Sequence, residues 1–385
     1  MADPFRWFFP LAALYAAVGI VLWLAGLSGQ MPLSANPTLW HGHEMLFGFA
    51  TAVIAGFLLT AVANWTDRRP AGPGLLALLS LLWVAGRLAV LVQPRLPWPL
   101  LAILEGAFLP LLALVMSRVL ILSRNTRNLM LVPFLWGLAL LNLGFHVMLG
   151  EGDIDAARRL LTLTAWLVGV LLVFMGGRVI PFFSGRRLGY QPRQWGWLNW
   201  TSTLGALGAA IALSLVPGTY FAAAIALVAA LATTCRLLAW QSPRIWTEPM
   251  LWILHLGYAW ICVAYVSAAL VHAGLLDWPQ TAPLHVLLTG ALGCLALGMM
   301  TRVALGHSGQ PIACSPLMLV AFVLVWAAGL ARIGSYVSWA GAGLPSLTIS
   351  AILWVLAYAL YVLEFTVRLW RPERQLRPKG GTHAT

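Results

Sequence analysis

Twelve long apolar stretches govern what this chain can fold into. At ~20 residues per bilayer crossing, candidate spans run near 5–27, 42–64, 74–93, 98–122, 129–149, 160–183, 197–216, 219–240, 249–272, 283–305, 314–333 and 347–369. Of the 385 residues 61% are hydrophobic and 9% charged, more apolar surface than a water-soluble domain can bury. The expected fold class is all-α: a single polytopic transmembrane domain over residues 1–370 with about twelve transmembrane helices, then a basic cytoplasmic tail over 371–385. Short connections marked by Pro and Gly, such as Gln30-Met31-Pro32, Pro70 to Gly74 and Val216-Pro217-Gly218, leave no room for a separate soluble domain.

A net charge of +12 invites a nucleic-acid reading, which the distribution of the charge rejects. Basic residues gather in alternate connections: Arg68/Arg69, Arg118/Arg124/Arg127, Arg186/Arg187/Arg193, Arg236/Arg244 and the tail from Arg368 to Lys379. The intervening loops are poor in Arg or acidic, as around Glu151, Asp153, Asp155 and Asp277. That is the positive-inside pattern, with an even number of spans and both termini cytoplasmic. Arg158 and Arg159 break it, partly offset by three nearby acids. Membrane lipid, not DNA or RNA, is the expected partner of the basic tail. The first stretch lacks a basic leader and reads as a retained span. Cys235, Cys262, Cys294 and Cys314 are scattered through spans without a CxxC pair and read as structural thiols.

This topology turns the histidines into a depth map. His41 and His43 fall near the outer end of span 2, His146 near that of span 5, His272 closes span 9 there and His285 opens span 10. One such histidine is an ordinary interfacial hydrogen-bonder. Five imidazoles from four helices at one level point to a metal or haem centre, because ionisable groups inside a bundle are costly unless paired or coordinated. His255 and His307, with Arg178 and Arg302, form a smaller group toward the cytoplasm. His383 lies in the tail.

Residues two apart on a helix point roughly 200° apart, so His41 and His43 cannot both face one centre from regular helix; if His41 is instead a non-helical N-cap residue, that division dissolves. Helical spacing groups His41 with Glu44 and Met45, and His43 with Leu46 and Phe47. One imidazole suits a haem iron, the other a second metal or a hydrogen-bond network with Glu44. A bis-histidine haem needs two neutral imidazoles on opposing helices at matched depth, a condition that His43 and His285 meet. Gly48, Gly290 and Gly293 would admit a flat porphyrin or simply close helix packing. Copper would draw on His41, His146 and His272. Met45, Met148, Met299 and Met300 read as packing residues. Arg87 and Glu105 lie at similar depth and are expected to pair, with a proton route through Glu44 and Glu105 as the functional alternative. Arg178 and Arg302 are positive-inside anchors or partners for haem carboxylates.

Trp40-His-Gly-His-Glu-Met-Leu-Phe-Gly-Phe49 resembles the signature of the NnrS family of bacterial membrane proteins. Further similar segments are Asn142-Leu-Gly-Phe-His146, Gly177-Arg-Val-Ile-Pro-Phe-Phe183, Pro249 to Trp260 around His255, and Gly298 to His307. The resemblance covers nearly the whole chain. It implies a haem b- and copper-containing protein of the bacterial inner membrane, linked to nitric oxide tolerance and often accompanying denitrification. His41, His43, His146, His255 and His307 fall in such segments, and with His285 they are the candidate metal ligands. His43, His285, Arg178 and Arg302 are candidates for the haem, and Glu44 is the candidate catalytic proton carrier.

A broader analogy is to the haem–copper oxidases, which also have twelve spans with haem-binding histidines on spans 2 and 10. Here span 6 has no His and span 7 no adjacent His pair, so the oxidase copper site is absent as such. Oxygen reduction does not transfer with a fold. The leading expectation is a protein that binds or reduces nitric oxide, or handles iron-nitrosyl products, with an electron donor the sequence does not identify. The alternatives are a secondary transporter of a metal or small anion, and a haem electron-transfer subunit. Layering of the charged groups toward one face, with no inverted repeat, weighs against a transporter.

Overall fold

The computed structural model describes residues 3–31, 34, 36–337 and 343–370. The expected tail, with His383, lies outside the described residues, as does Pro32 of the first connection. Among the described residues every regular element is helical. Among those residues, twelve helices are long and apolar enough to cross a membrane: Pro4–Leu27, Pro37–Thr66, Pro73–Leu91, Trp98–Leu122, Thr126–Gly150, Ile154–Leu188, Gly196–Leu215, Tyr220–Ala239, Pro249–His272, Ala282–His307, Pro316–Gly334 and Pro345–Thr366. We number them spans 1 to 12.

Most bounds follow the apolar stretches, because helix formation is the way a lone segment satisfies its backbone in lipid. Span 6 is the exception. Its 35 residues reach ~52 Å at 1.5 Å per residue, well past the hydrocarbon. The Asp153 carboxylate caps it by accepting from Ala156 N, and Gly189 ends it at φ 68°. Arg158, Arg159, Arg186 and Arg187, assigned to loops by hydropathy, are helical turns outside the apolar stretch.

Span 2 begins before its histidines. The Asn36 side chain accepts from Leu39 N at 3.1 Å, and Pro37 occupies the first turn, where its missing N–H costs nothing. His41 and His43 are therefore both helical. From Glu44 to Ala50 the helix widens into a π-helical segment, and Val286–Leu292 of span 10 does the same directly after His285. Such widenings are rare and concentrate at functional sites. Span 4 breaks between Gly106 and Phe108. Pro110 explains the break: it has no N–H, and its ring clashes with the carbonyl of Gly106 four residues back. Glu105 is the last polar group before that break.

Spans 2 and 10 form the centre, with 89% and 78% of their apolar windows buried, against 33% for spans 11 and 12. The chain thus puts its two histidine-led, π-distorted helices where they are best shielded from lipid.

Candidate metal centre

Each of the first five spans sends a polar side chain to one buried cluster. Glu44 of span 2 is its hub. Its carboxylate accepts from the Tyr15 hydroxyl of span 1, from His43 Nδ1 at 2.8 Å and from Arg87 Nη1 of span 3 at 2.5 Å. Arg87 also pairs with Glu105 of span 4, so one guanidinium bridges two carboxylates. Asn142 of span 5 donates to Glu105 through its amide nitrogen and faces His43 Nε2 with its oxygen at 3.0 Å. One turn on, His146 Nε2 lies 3.5 Å from Glu105 Oε2 and has no hydrogen-bond partner among the described residues.

Gly48 makes this convergence possible. A methyl group there would stand 2.6 Å from the Tyr15 ring and 3.1 Å from Arg87 Nη1. The expected ion pair between Arg87 and Glu105 is present. The expected grouping of Glu44 with His41 is not. Arg87 and Tyr15 both approach from the His43 side and draw the carboxylate there, since a buried carboxylate without a cation and donors is costly.

His43, Glu105 and His146, all buried, bring their ligand atoms within 4.8 Å of one another and can hold a metal ion. The charges favour a cation. Two carboxylates face one guanidinium, which leaves one negative charge if both histidines are neutral. With His43 Nδ1 donating to the Glu44 carboxylate, its Nε2, 3.0 Å from Asn142 Oδ1, keeps the lone pair that a metal ion needs. Two imidazoles and a carboxylate suit a borderline ion such as copper or zinc.

His41 faces elsewhere. Its ring stacks on Trp23 with centroids 4.2 Å apart, and its Nδ1 is buried without a partner among the described residues. It lines a cavity of about 1010 Å³, counting its mouth, together with His285, Met45, Phe49, Leu288 and Arg158. His41, His285 and Arg332 lie within electrostatic range of one another. His285 Nδ1 meets the Thr281 carbonyl at 3.0 Å and the Tyr336 hydroxyl at 2.8 Å. Both can accept its proton, which leaves Nε2 with the lone pair a metal needs. Burial pushes the Tyr336 phenol, beyond the end of span 11, up to about 12, so it stays a neutral partner. The expected haem pair of His43 and His285 is thus not what the side chains bring together. His41 shares the cavity with His285, because span 2 turns His43 toward spans 3 to 5. Two imidazoles on facing helices and a largely apolar lining fit a haem at this position.

The remaining candidates are dispersed. His255 Nε2 is 2.9 Å from Ser184 Oγ, and its Nδ1 is 3.3 Å from the Gln241 amide, whereas His307 packs on Phe5. His272 accepts from the Gly218 backbone and fixes a loop, away from the copper role considered for it. Arg178 donates to Asn128, and Arg302 lies 3.8 Å over the Phe183 ring. Both sit at the opposite end of the bundle from His285. Seventeen residues separate His285 from Arg302, ~26 Å along a helix. Gly290 and Gly293 meet Trp260 and Trp354, so they serve helix packing.

Sequence reasoning gives no role to Tyr15, Asn142, Arg332 or Tyr336, and reads Glu105 as an ion-pair partner or proton carrier, not as a metal ligand. Asn142 carried a signal, since it stands four residues before His146 and shares its helix face. Nothing local marks Tyr15 or Tyr336.

A helical membrane bundle with a buried imidazole–carboxylate group able to hold a metal is the class of protein that the fold and site define. The family model described as NnrS protein matches residues 1–373, and the chain belongs to the NnrS family. That membership fits a role in the response to nitric oxide. Comparison with curated proteins gives no match.

Proposed function

We propose that this chain is a haem b- and copper-binding protein of the bacterial inner membrane, with both termini cytoplasmic, that binds nitric oxide in the service of nitric oxide tolerance. The observation that supports the reading is the division of two histidines on span 2 between two surroundings: His41 with His285 across a cavity, His43 with His146 and Glu105 in a polar cluster. His41 and His285 would hold the haem, with Arg158 and Arg332 as cationic partners for its carboxylates. His43, His146 and Glu105 would hold the copper. When bound, the haem supplies a redox-active iron with affinity for nitric oxide, and the copper a second one-electron centre.

The chain supplies access and protons. Nitric oxide is small, neutral and soluble in hydrocarbon. Leu292 lines both the His41–His285 cavity and a second, wholly apolar cavity of about 720 Å³ bounded by Phe9, Ile54, Leu171, Met299 and Met300. This apolar space would offer the gas a route toward the cavity without crossing charged groups. Reducing two molecules of nitric oxide to nitrous oxide and water takes two electrons and two protons. Glu44, between the Tyr15 hydroxyl and His43, would carry a proton toward the metal group.

The test is haem and copper content of the purified full-length protein, followed by anaerobic nitric oxide titration. Haem and copper near one equivalent each, with a haem spectrum that nitric oxide shifts, support the reading. Folded protein that takes up neither cofactor when both are supplied would end it. Consumption of nitric oxide with a chemical reductant separates turnover from binding.

A further inference from the structure

The opposite end of the bundle holds a pocket for which the proposed chemistry has no use. Arg127 at the start of span 5, Arg178 near the end of span 6 and Arg236 near the end of span 8 line it, with Gln194, Asn199 and Thr203. Its empty space is about 860 Å³ counting the mouth, and no acidic residue is among its described lining residues.

The arginines are anchored by neutral groups. Arg236 is 3% exposed, on a helix that crosses the membrane. Its Nη1 donates to Ser202 Oγ at 2.6 Å and to the Val173 carbonyl at 3.3 Å, and its Nε has no partner among the described residues. The guanidinium lies 5.3 Å from the Trp240 ring centroid. Arg178 donates to the Asn128 side chain at 2.7 Å and lies 5.2 Å from the Phe174 centroid. A snorkelling arginine extends its head to water; Arg236 does the reverse, which is costly unless an anion compensates it. The backbone makes room for this. A methyl group on Gly177 would fall 1.3 Å from Arg236 Nη2, so only glycine lets the guanidinium lie against span 6.

Guanidinium groups donating through planar forks, flanked by amide and hydroxyl side chains and free of competing carboxylates, match the oxygens of a phosphoryl group. We propose that this pocket binds a phosphoryl oxyanion, carried either by an anionic phospholipid headgroup or by free phosphate. The haem carboxylates are not its occupant, because His41 and His285 sit at the other end of the bundle. Basic pockets between helix ends are established headgroup sites in membrane proteins.

The experiment is thermal unfolding of the full-length, delipidated protein in a non-ionic detergent. It is titrated with inorganic phosphate, with chloride at matched ionic strength, and with mixed micelles of phosphatidylglycerol or phosphatidylcholine. Saturable stabilisation by phosphate beyond chloride assigns a soluble oxyanion. Stabilisation by phosphatidylglycerol beyond phosphatidylcholine, with no phosphate effect, assigns a lipid headgroup. In either case Arg178→Gln and Arg127→Gln should each weaken the apparent affinity about tenfold, the worth of one charge-assisted hydrogen bond. These positions are less buried than Arg236, so the test survives if Arg236→Gln fails to fold. Equal responses to phosphate and chloride together with equal responses to both lipids, or affinities unchanged in both variants, overturn the proposal.

Discussion

His41 and His43 stand two residues apart on one helix and face different surroundings. His43 is held between Glu44 and Asn142, whereas His41 stacks on Trp23 and lines a cavity with His285. One turn of span 2 therefore reaches both the polar cluster and the cavity. Everything proposed for the site follows from that division, and the variants below probe its parts separately.

Arg87 compensates two buried carboxylates at once. Arg87→Met leaves Glu44 and Glu105 unpaired and should lower stability by about 3–5 kcal/mol, seen as a large fall in Tm in detergent. Arg87→Lys should recover only part of it, because an ammonium lacks the fork that reaches both carboxylates. An unchanged Tm for Arg87→Met would mean that the carboxylates do not depend on this cation.

Gly48→Ala should displace the Tyr15 ring, which a methyl group would approach to 2.6 Å. The expected cost is about 1–3 kcal/mol of overpacking, with the haem spectrum unchanged because Gly48 does not line the His41–His285 cavity. A wild-type Tm would show that the ring moves freely, contrary to the close packing around Glu44.

Tyr15→Phe removes one donor from Glu44. We expect a loss of about 1–3 kcal/mol from the under-satisfied carboxylate, with copper and haem both retained. Where nitric oxide is consumed, its rate should fall while binding stays. Loss of copper in this variant would place Tyr15 in the metal site instead.

His255→Ala and His307→Ala should keep both cofactors, since their contacts are Ser184, Gln241 and Phe5 and not each other. Elemental analysis and the haem spectrum decide it. Loss of either cofactor would mean that these histidines ligate after all.

The architecture was legible because hydrocarbon leaves a chain few options. Twenty apolar residues read as a span wherever they occur, and the spans fall close to their expected positions. Span 6 ran longer because hydropathy detects the lipid-facing segment alone, while Asp153 and Gly189 set the helix ends through caps. At the site, periodicity correctly separated His41 from His43, since the 200° argument is local. Partner choice was not legible. Glu44 follows Arg87 and Tyr15, which lie 43 and 29 residues away in sequence, and the widening of span 2 leaves no compositional mark. The buried Arg236, with no acid beside it among the described residues, was likewise hidden among positive-inside residues, because burial and neighbours are properties of the packed bundle.

The most direct test of the two-centre account compares His41→Ala with His43→Ala, measuring haem by reduced-minus-oxidised absorption and copper by elemental analysis on the same samples. The account predicts crossed losses: His41→Ala loses the haem signal and keeps copper, whereas His43→Ala keeps the haem signal and loses copper. Loss of haem in His43→Ala with haem retained in His41→Ala would contradict it and restore His43 as the partner of His285.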